Sequence, residues 1–318
     1  GVGYRALVAN TTGTKNVAVG SSALDECTTG DFNTAVGTSA LTSVTTADNN
    51  TAFGYSAGQE ITTGTQNTAV GALALDANTT ASYNTAFGYN AVGANITGVQ
   101  NVGVGVDALL LTTGSRNTGL GSYTLQANTS ANDNTAVGNQ AMYANTTGAD
   151  NTAVGANALD ANTTGIDNVA VGKSALGVST TGQRNAALGT LSLDACTTGS
   201  NNVGVGYESL SANTTGASNV AVGYLALWKN TTAANNTAVG NSAGQEITTG
   251  ASNTAVGKSA SPALTTGAEN TCIGSSTAEG LTSGGNNICI GLGAGNSGNP
   301  GGLLQTTDNR IVLGNASS

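Results

Sequence analysis

The sequence predicts an all-β chain, a parallel β-solenoid (β-roll) of 17-residue coils, and three observations carry that prediction. A five-residue phrase, Asn-Thr-Ala-Val-Gly, opens as Asn16-Val17-Ala18-Val19-Gly20 and returns with its Asn at 33, 50, 67, 84, 101, 117, 134, 151, 168, 185, 202, 219, 236, 253, 270 and 287. Fifteen of the sixteen intervals are 17 residues long; only 101 to 117 is 16. A fixed short period marks a solenoid, whose single coil cannot bury its apolar face alone. Numbered from that Asn, position 4 is apolar in every copy and position 3 is always Ala, Gly or Cys. The chain holds 47 Gly and only 8% charged residues, a composition compatible with disorder, but disordered repeats need not keep a Val in register.

The consensus coil is N-T-A-V-G-x-x-A-L-x-A-N-T-T-G-x-x. A strand is predicted over positions 1–5, because alternate residues face opposite ways: Thr/Val on one side, a very small residue on the other. Gly at position 5 and Gly or Ala at position 15 suit turns with permissive φ. Positions 9 and 12 exchange volume. Large residues at 9 go with Asn, Cys or Ser at 12, as in Leu75/Asn78 and Leu193/Cys196; small ones go with Ile or Leu, as in Gly58/Ile61 and Gly244/Ile247. Only Leu41/Val44 breaks the exchange among the complete 17-residue coils. Close-packed interiors conserve volume, so the two positions are expected to share one interior space on either side of a corner near positions 10 and 11. Short strands at 8–10 and 12–14 and a turn through Gly complete the expected circuit, with neighbouring coils paired parallel and in register. In the 16-residue coil the missing residue is read as position 12, beside that corner. Asn at position 12 is expected to form a ladder between coils. Sequons such as Asn78-Thr79-Thr80 and Asn213-Thr214-Thr215 then fall out of the repeat, with their amides inside.

This repeat predicts a solenoid over 1–291 and an irregular cap, loop and final strand over 292–318. The period breaks after Asn287; the next similar phrase is read as opening at Asn309, after a loop over Gly295–Gly302. The opening Gly1-Val2-Gly3 matches the last three letters of the phrase and no Met precedes it, so the natural protein is expected to continue N-terminally.

With positions 3, 8, 9, 11 and 12 filling a thin cross-section, position 4 is expected outside. Val19, Val36, Phe53, Val70, Phe87, Val137, Val154, Val171, Val222, Val239 and Val256 then form an apolar stripe larger than soluble monomers expose. A parallel homotrimer burying these stripes is the preferred solution; the competing arrangement turns position 4 inward in a monomeric needle.

The phrase and its terminal Gly resemble the head-type β-roll repeats of trimeric autotransporter adhesins, as also found in phage tail fibres. There the phrase is nearer Asn-Ser-Val-Ala-Ile-Gly, and the coil is usually shorter than 17 residues. The resemblance implies a left-handed roll and a trimer. Asp308-Asn309-Arg310-Ile311-Val312-Leu313-Gly314-Asn315 is similar to the segment preceding an endosialidase-type intramolecular chaperone, and the terminal Ser317-Ser318 suits the self-cleavage after Ser that such proteins undergo.

The net charge of −9 with 8 basic residues leaves no nucleic-acid footprint, no run approaches the 18 apolar residues of a membrane span, and no signal peptide is read. With no His and no acid–base constellation, the chain is not expected to be an enzyme, and no cofactor or metal site is assigned. Asp133, Asp150 and Asp167 share the coil-end turn and read as a solvated acidic edge rather than a cation row. Cys27, Cys196, Cys272 and Cys289 read as buried free thiols. Candidate glycan contacts are Tyr55, Tyr89, Tyr207 and Tyr224 at position 6, with Tyr4, and Trp228 at position 10, since turn aromatics stack on sugars. The plainer alternative is that Tyr caps the turn. Paired Thr at 13 and 14 raises ice binding as a further idea, weakened because adjacent Thr face apart. The resulting expectation is the shaft of an extracellular attachment fibre, on a phage tail or bacterial surface, about 18 coils and roughly 85 Å long by strand spacing. It would present a receptor-binding end; its partners would be itself and a cell-surface glycan or receptor. A self-polymerising filament, or a glycan- or ice-binding module, is the alternative.

Overall fold

In each coil only three residues are extended, and they set the frame for everything else. A computed structural model describes residues 1–296 and 303–314. The chain divides into two compact units, Gly1–Thr164 and Gly165–Ser318. The first contains β1 (Val17–Val19), β2 (Thr34–Val36), β3 (Thr51–Phe53), β4 (Thr68–Val70), β5 (Thr85–Phe87), β6 (Val102–Val104), β7 (Thr118–Leu120), β8 (Thr135–Val137) and β9 (Thr152–Val154). The second contains β10 (Val169–Val171), β11 (Ala186–Leu188), β12 (Val203–Val205), β13 (Val220–Val222), β14 (Thr237–Val239), β15 (Thr254–Val256), β16 (Thr271–Ile273), β17 (Ile288–Ile290) and β18 (Ile311–Leu313). Within each unit consecutive strands pair parallel and in register, as Val70 opposite Phe87 and Val222 opposite Val239 illustrate. Each unit is therefore a β-solenoid of 17-residue coils, all-β as predicted.

The strand is shorter than expected, covering positions 2–4, and among the described residues the remaining expected strands at 8–10 and 12–14 are absent. A succession of turns and bends replaces them. Positions 7, 9 and 17 take positive φ without glycine, as in Ser22 (55°), Leu24 (52°) and Phe32 (59°). Two turns close on the backbone, Ala23 N–H to Gly20 O at 3.4 Å and Cys27 N–H to Leu24 O at 3.3 Å. The second turn puts positions 9 and 12 on its inner side, where a corner between strands had been expected to do so. The non-strand arc still bonds from coil to coil: Leu24 N–H donates to Ala40 O (3.1 Å) and Glu26 N–H to Thr42 O (3.0 Å). These bonds offset the cost of left-handed backbone at residues such as Leu24. Gly at position 5 is required, because Gly20 has φ 135° and a Cβ there would collide with the Gly37 carbonyl stacked against it.

The interior is filled by position 3 Ala, position 8 Ala and the residues at 9 and 12. The volume exchange is physical. A Cβ on Gly58 would lie 2.9 Å from Leu41 Cδ2 and 3.0 Å from Ile61 Cδ1. Leu41 thus leans into the space that Gly58 of the following coil vacates, which explains why Leu41 and Val44 coexist.

Position 1 is the second buried file, and its role exceeds that of a phrase marker. Asn33 N–H donates to Asn16 Oδ1 at 2.8 Å, while Asn33 Nδ2 donates to the Ala47 carbonyl of its own coil at 2.7 Å. The same pair of bonds recurs at Asn50, Asn67, Asn84, Asn101, Asn117 and Asn134 in the first unit. In the second it recurs at Asn185, Asn202, Asn219, Asn236, Asn253, Asn270 and Asn287. The ladder expected at position 12 is only local. Asn162 Nδ2 reaches Asn145 Oδ1 at 2.9 Å, but Asn78 bonds within its own turn, to Ala81.

Two register expectations are corrected. In the 16-residue coil Thr112 occupies position 12: it is buried, its N–H closes the turn onto Leu109 O at 3.3 Å, and its hydroxyl accepts from Asn128 Nδ2 at 3.0 Å. The missing residue therefore belongs to the solvent-facing Thr pair at 13 and 14, where one fewer residue disturbs no packing. In the last coil Ile311 pairs with Ile288, so position 1 is Arg310, whose N–H takes the Asn287 Oδ1 at 3.0 Å. Asn309 sits at position 17 with φ 59°. Leu304 is buried and its N–H meets Gly295 O at 3.1 Å, repeating the small-9, large-12 pairing. The loop expected up to Gly302 lies outside the described residues from 297 on, as do Ser317 and Ser318.

Candidate functional site

The strand of each coil turns position 3 inward and positions 2 and 4 outward, so each unit presents a face of stacked Thr, Val and larger apolar side chains. No residue at positions 2 or 4 of β1–β18 is charged. Phe53 and Phe87 are 58% and 56% exposed, Val19 40%. Val154, Val171 and Val239 are also exposed, whereas Val36, Val70, Val137, Val222 and Val256 are half-buried between their neighbours. The outward setting of position 4 read from the sequence is thus the observed one. Leu120, Leu188, Ile273 and Ile290 belong to the same face.

The position 6 aromatics are exposed but do not form one row. Tyr55 and Tyr89 are separated by a coil that carries Ala72. Tyr207 and Tyr224 do meet, with ring centroids 5.7 Å apart and planes within 13°, an offset-stack distance. Glu208, by a hydrogen bond and its charge, holds the Tyr207 hydroxyl above its ordinary titration range. Trp228 is half-buried, with Lys229 Nζ 5.4 Å from its ring and bonded to Glu246 at 2.6 Å. Four further exposed aromatics were missed: Phe32 and Tyr83 at position 17, Tyr123 at 7 and Tyr143 at 10. Aligning every position, rather than position 6 alone, would have found them. Lys15 Nζ covers Phe32 at 4.4 Å.

Other groups are structural ties. Asp133 receives a bidentate pair from Arg116 at 2.6 and 2.7 Å, which lowers its titration range. At position 10, burial raises the carboxyls of Asp76, Asp160 and Asp194 above the usual range. Asn78 and Asn213 are fully buried, so neither sequon offers its amide to solvent. All four Cys are buried and unpaired, and burial pushes the Cys196 thiol up to about 11. Among the described residues no three His, Cys, Asp or Glu converge as a metal site, and no helix is long and apolar enough to cross a membrane. Comparisons with family models, curated proteins and solved structures find no match to this chain.

Proposed function

We propose that the chain is the structural shaft of an extracellular attachment fibre, from a phage tail or a bacterial surface, and that three copies associate in parallel through their strand faces. The observation that supports this reading is the uncharged apolar face of positions 2 and 4, with Phe53 and Phe87 more than half exposed. Full burial of one large aliphatic or aromatic side chain is worth about 1.5–3 kcal/mol, so covering the exposed part gains roughly 1 kcal/mol per coil. Summed over the strands of both units, that exceeds the roughly 4–15 kcal/mol cost of association. Trimeric packing also keeps the face from pairing at random. Light scattering tests the reading: the expected mass is three times the 30.7 kDa of one chain. A monomer in dilute solution, with the face still uncovered, would falsify it.

A second reading rests on the Tyr207–Tyr224 stack, a flat, wet aromatic surface of the kind that meets sugar rings. In that reading the shaft also touches glycans. Loss of glycan-array signal in Tyr207→Ala/Tyr224→Ala supports it, and unchanged signal removes it.

A further inference from the structure

Cys272 and Cys289 hold position 3 in successive coils, and their Cα atoms are direct partners across β16 and β17. Both side chains are fully buried and neither is in a disulfide. Room for two sulfurs comes from the facing arc. There position 9 is Ser261, Ala278 and Gly295 instead of Leu, and a Cβ on Gly295 would stand 3.1 Å from Cys289 Sγ. In-register strands lie about 4.8 Å apart, whereas disulfide Cβ atoms need about 3.8 Å. A direct S–S bond is therefore mismatched to this pair. Two metal–thiolate bonds of about 2.3 Å laid end to end set the sulfurs about 4.6 Å apart, a separation that side chains rising in parallel from adjacent strands can supply.

A second observation points the same way. Ser261 Oγ is buried and has no hydrogen-bond partner, yet it adjoins the Cys272 thiol. The Cys289 sulfur adjoins the same thiol from the next coil. The two sulfurs and the Ser261 hydroxyl thus share one dry space between adjacent coils.

We propose that Cys272 and Cys289 form a buried two-coordinate site for one soft monovalent cation, Cu(I) or Ag(I), with Ser261 Oγ facing the ion. Soft sulfur ligands select such ions. One S–H bond breaks at Cys272, one metal–sulfur bond forms there, and the Cys289 sulfur donates a lone pair while keeping its hydrogen. One proton leaves for each cation bound, so the buried site stays neutral and no electron is transferred. The ion enters through local opening of the coils.

Native mass spectrometry of the full chain with one equivalent of silver nitrate tests this. Cys27→Asn/Cys196→Asn keeps the pair and restores the commonest position 12 residue. Cys272→Ala/Cys289→Ala removes the pair and restores the commonest position 3 residue, so both variants are expected to melt like the parent by circular dichroism. Wild type and the first variant should each hold one silver in exchange for one proton, and the second none. Silver retained by the second variant, silver refused by the first, or an untreated chain two hydrogens lighter would each overturn the proposal.

Discussion

Two files of buried Asn run through each unit, and they tolerate change very differently. Position 1 is Asn in every coil from Asn16 to Asn287, whereas position 12 is variously Asn, Cys, Ser, Thr, Val, Ile or Leu. Both amides are dry and both lie near the position 15 carbonyl. What separates them is the backbone they serve. The position 1 amide is the acceptor for the next coil's N–H and a donor to its own coil's carbonyl, as Asn84 shows at 2.9 Å to both Asn101 N and Gly98 O. The position 12 amide serves a group that has another choice. Ala81 N–H bonds Asn78 Oδ1, but Gly64 N–H, in a coil with Ile61, reaches Thr79 O at 3.4 Å instead. A buried amide is irreplaceable where the backbone has no second partner; elsewhere only volume counts.

The sharpest way to break this contrast is Asn84→Ala, which strands the Asn101 N–H in the interior and takes from the Gly98 carbonyl one of its two donors, leaving Asn95 Nδ2 at 2.8 Å. One unsatisfied buried N–H and one further lost hydrogen bond together predict a loss of about 3 kcal/mol. Because solenoid stability is carried between neighbouring coils, hydrogen exchange should speed up most around residues 67–117. Exchange no faster than in the parent would refute the ladder's importance.

A somewhat smaller effect tests the claim that position 12 answers to volume. Gly58→Leu forces a side chain onto Leu41 and Ile61 and should cost about 2 kcal/mol. Adding Ile61→Asn rebuilds the Leu/Asn pairing of Leu75/Asn78 and should recover more than half of that in a denaturant double-mutant cycle. Additive losses would mean that the two sites do not share one space.

The smallest effect has the opposite sign. Asn230 is buried with neither amide atom bonded, and the next coil offers Ile247 at the same position. Asn230→Val copies the Leu41/Val44 coil and should raise stability by up to about 1 kcal/mol, read as a higher denaturation midpoint. A clear loss would show that position 12 Asn carries more than its bulk.

Much of this was legible in the letters. Period, strand, small interior position 3, outward position 4 and the shared space of 9 and 12 all follow from the alignment of coils, because volume and side alternation leave a mark in residue choice. The left-handed backbone at position 9 left none, since Leu24 and its counterparts are not the residues that conformation selects; at position 17 it left an unread trace in Asn49, Asp133, Asp150, Asp167, Asn201 and Asn235. Coil-to-coil bonds impose it, and no one coil encodes them. The same blindness misplaced the deleted residue: Thr112 looks like its neighbour Thr113 in the letters, and only burial distinguishes them. Asn309 drew the eye at the last coil for its identity, while the strand pairing of Ile311 puts Arg310 in its place. Of the candidate site, the apolar face was legible, and so was the spacing that puts only Tyr207 and Tyr224 in adjacent coils; the stacking of their rings was not.

The in-register pairing has a genetic corollary. Each coil is a whole number of codons and meets its neighbours through the same letters, so duplicating or excising one leaves every junction chemically unchanged. Unequal recombination within such a gene can therefore lengthen or shorten the product by complete coils without inventing a new contact. The tolerated 16-residue coil indicates that even an imperfect crossover is survivable when the lost codon falls on the solvent-facing Thr pair.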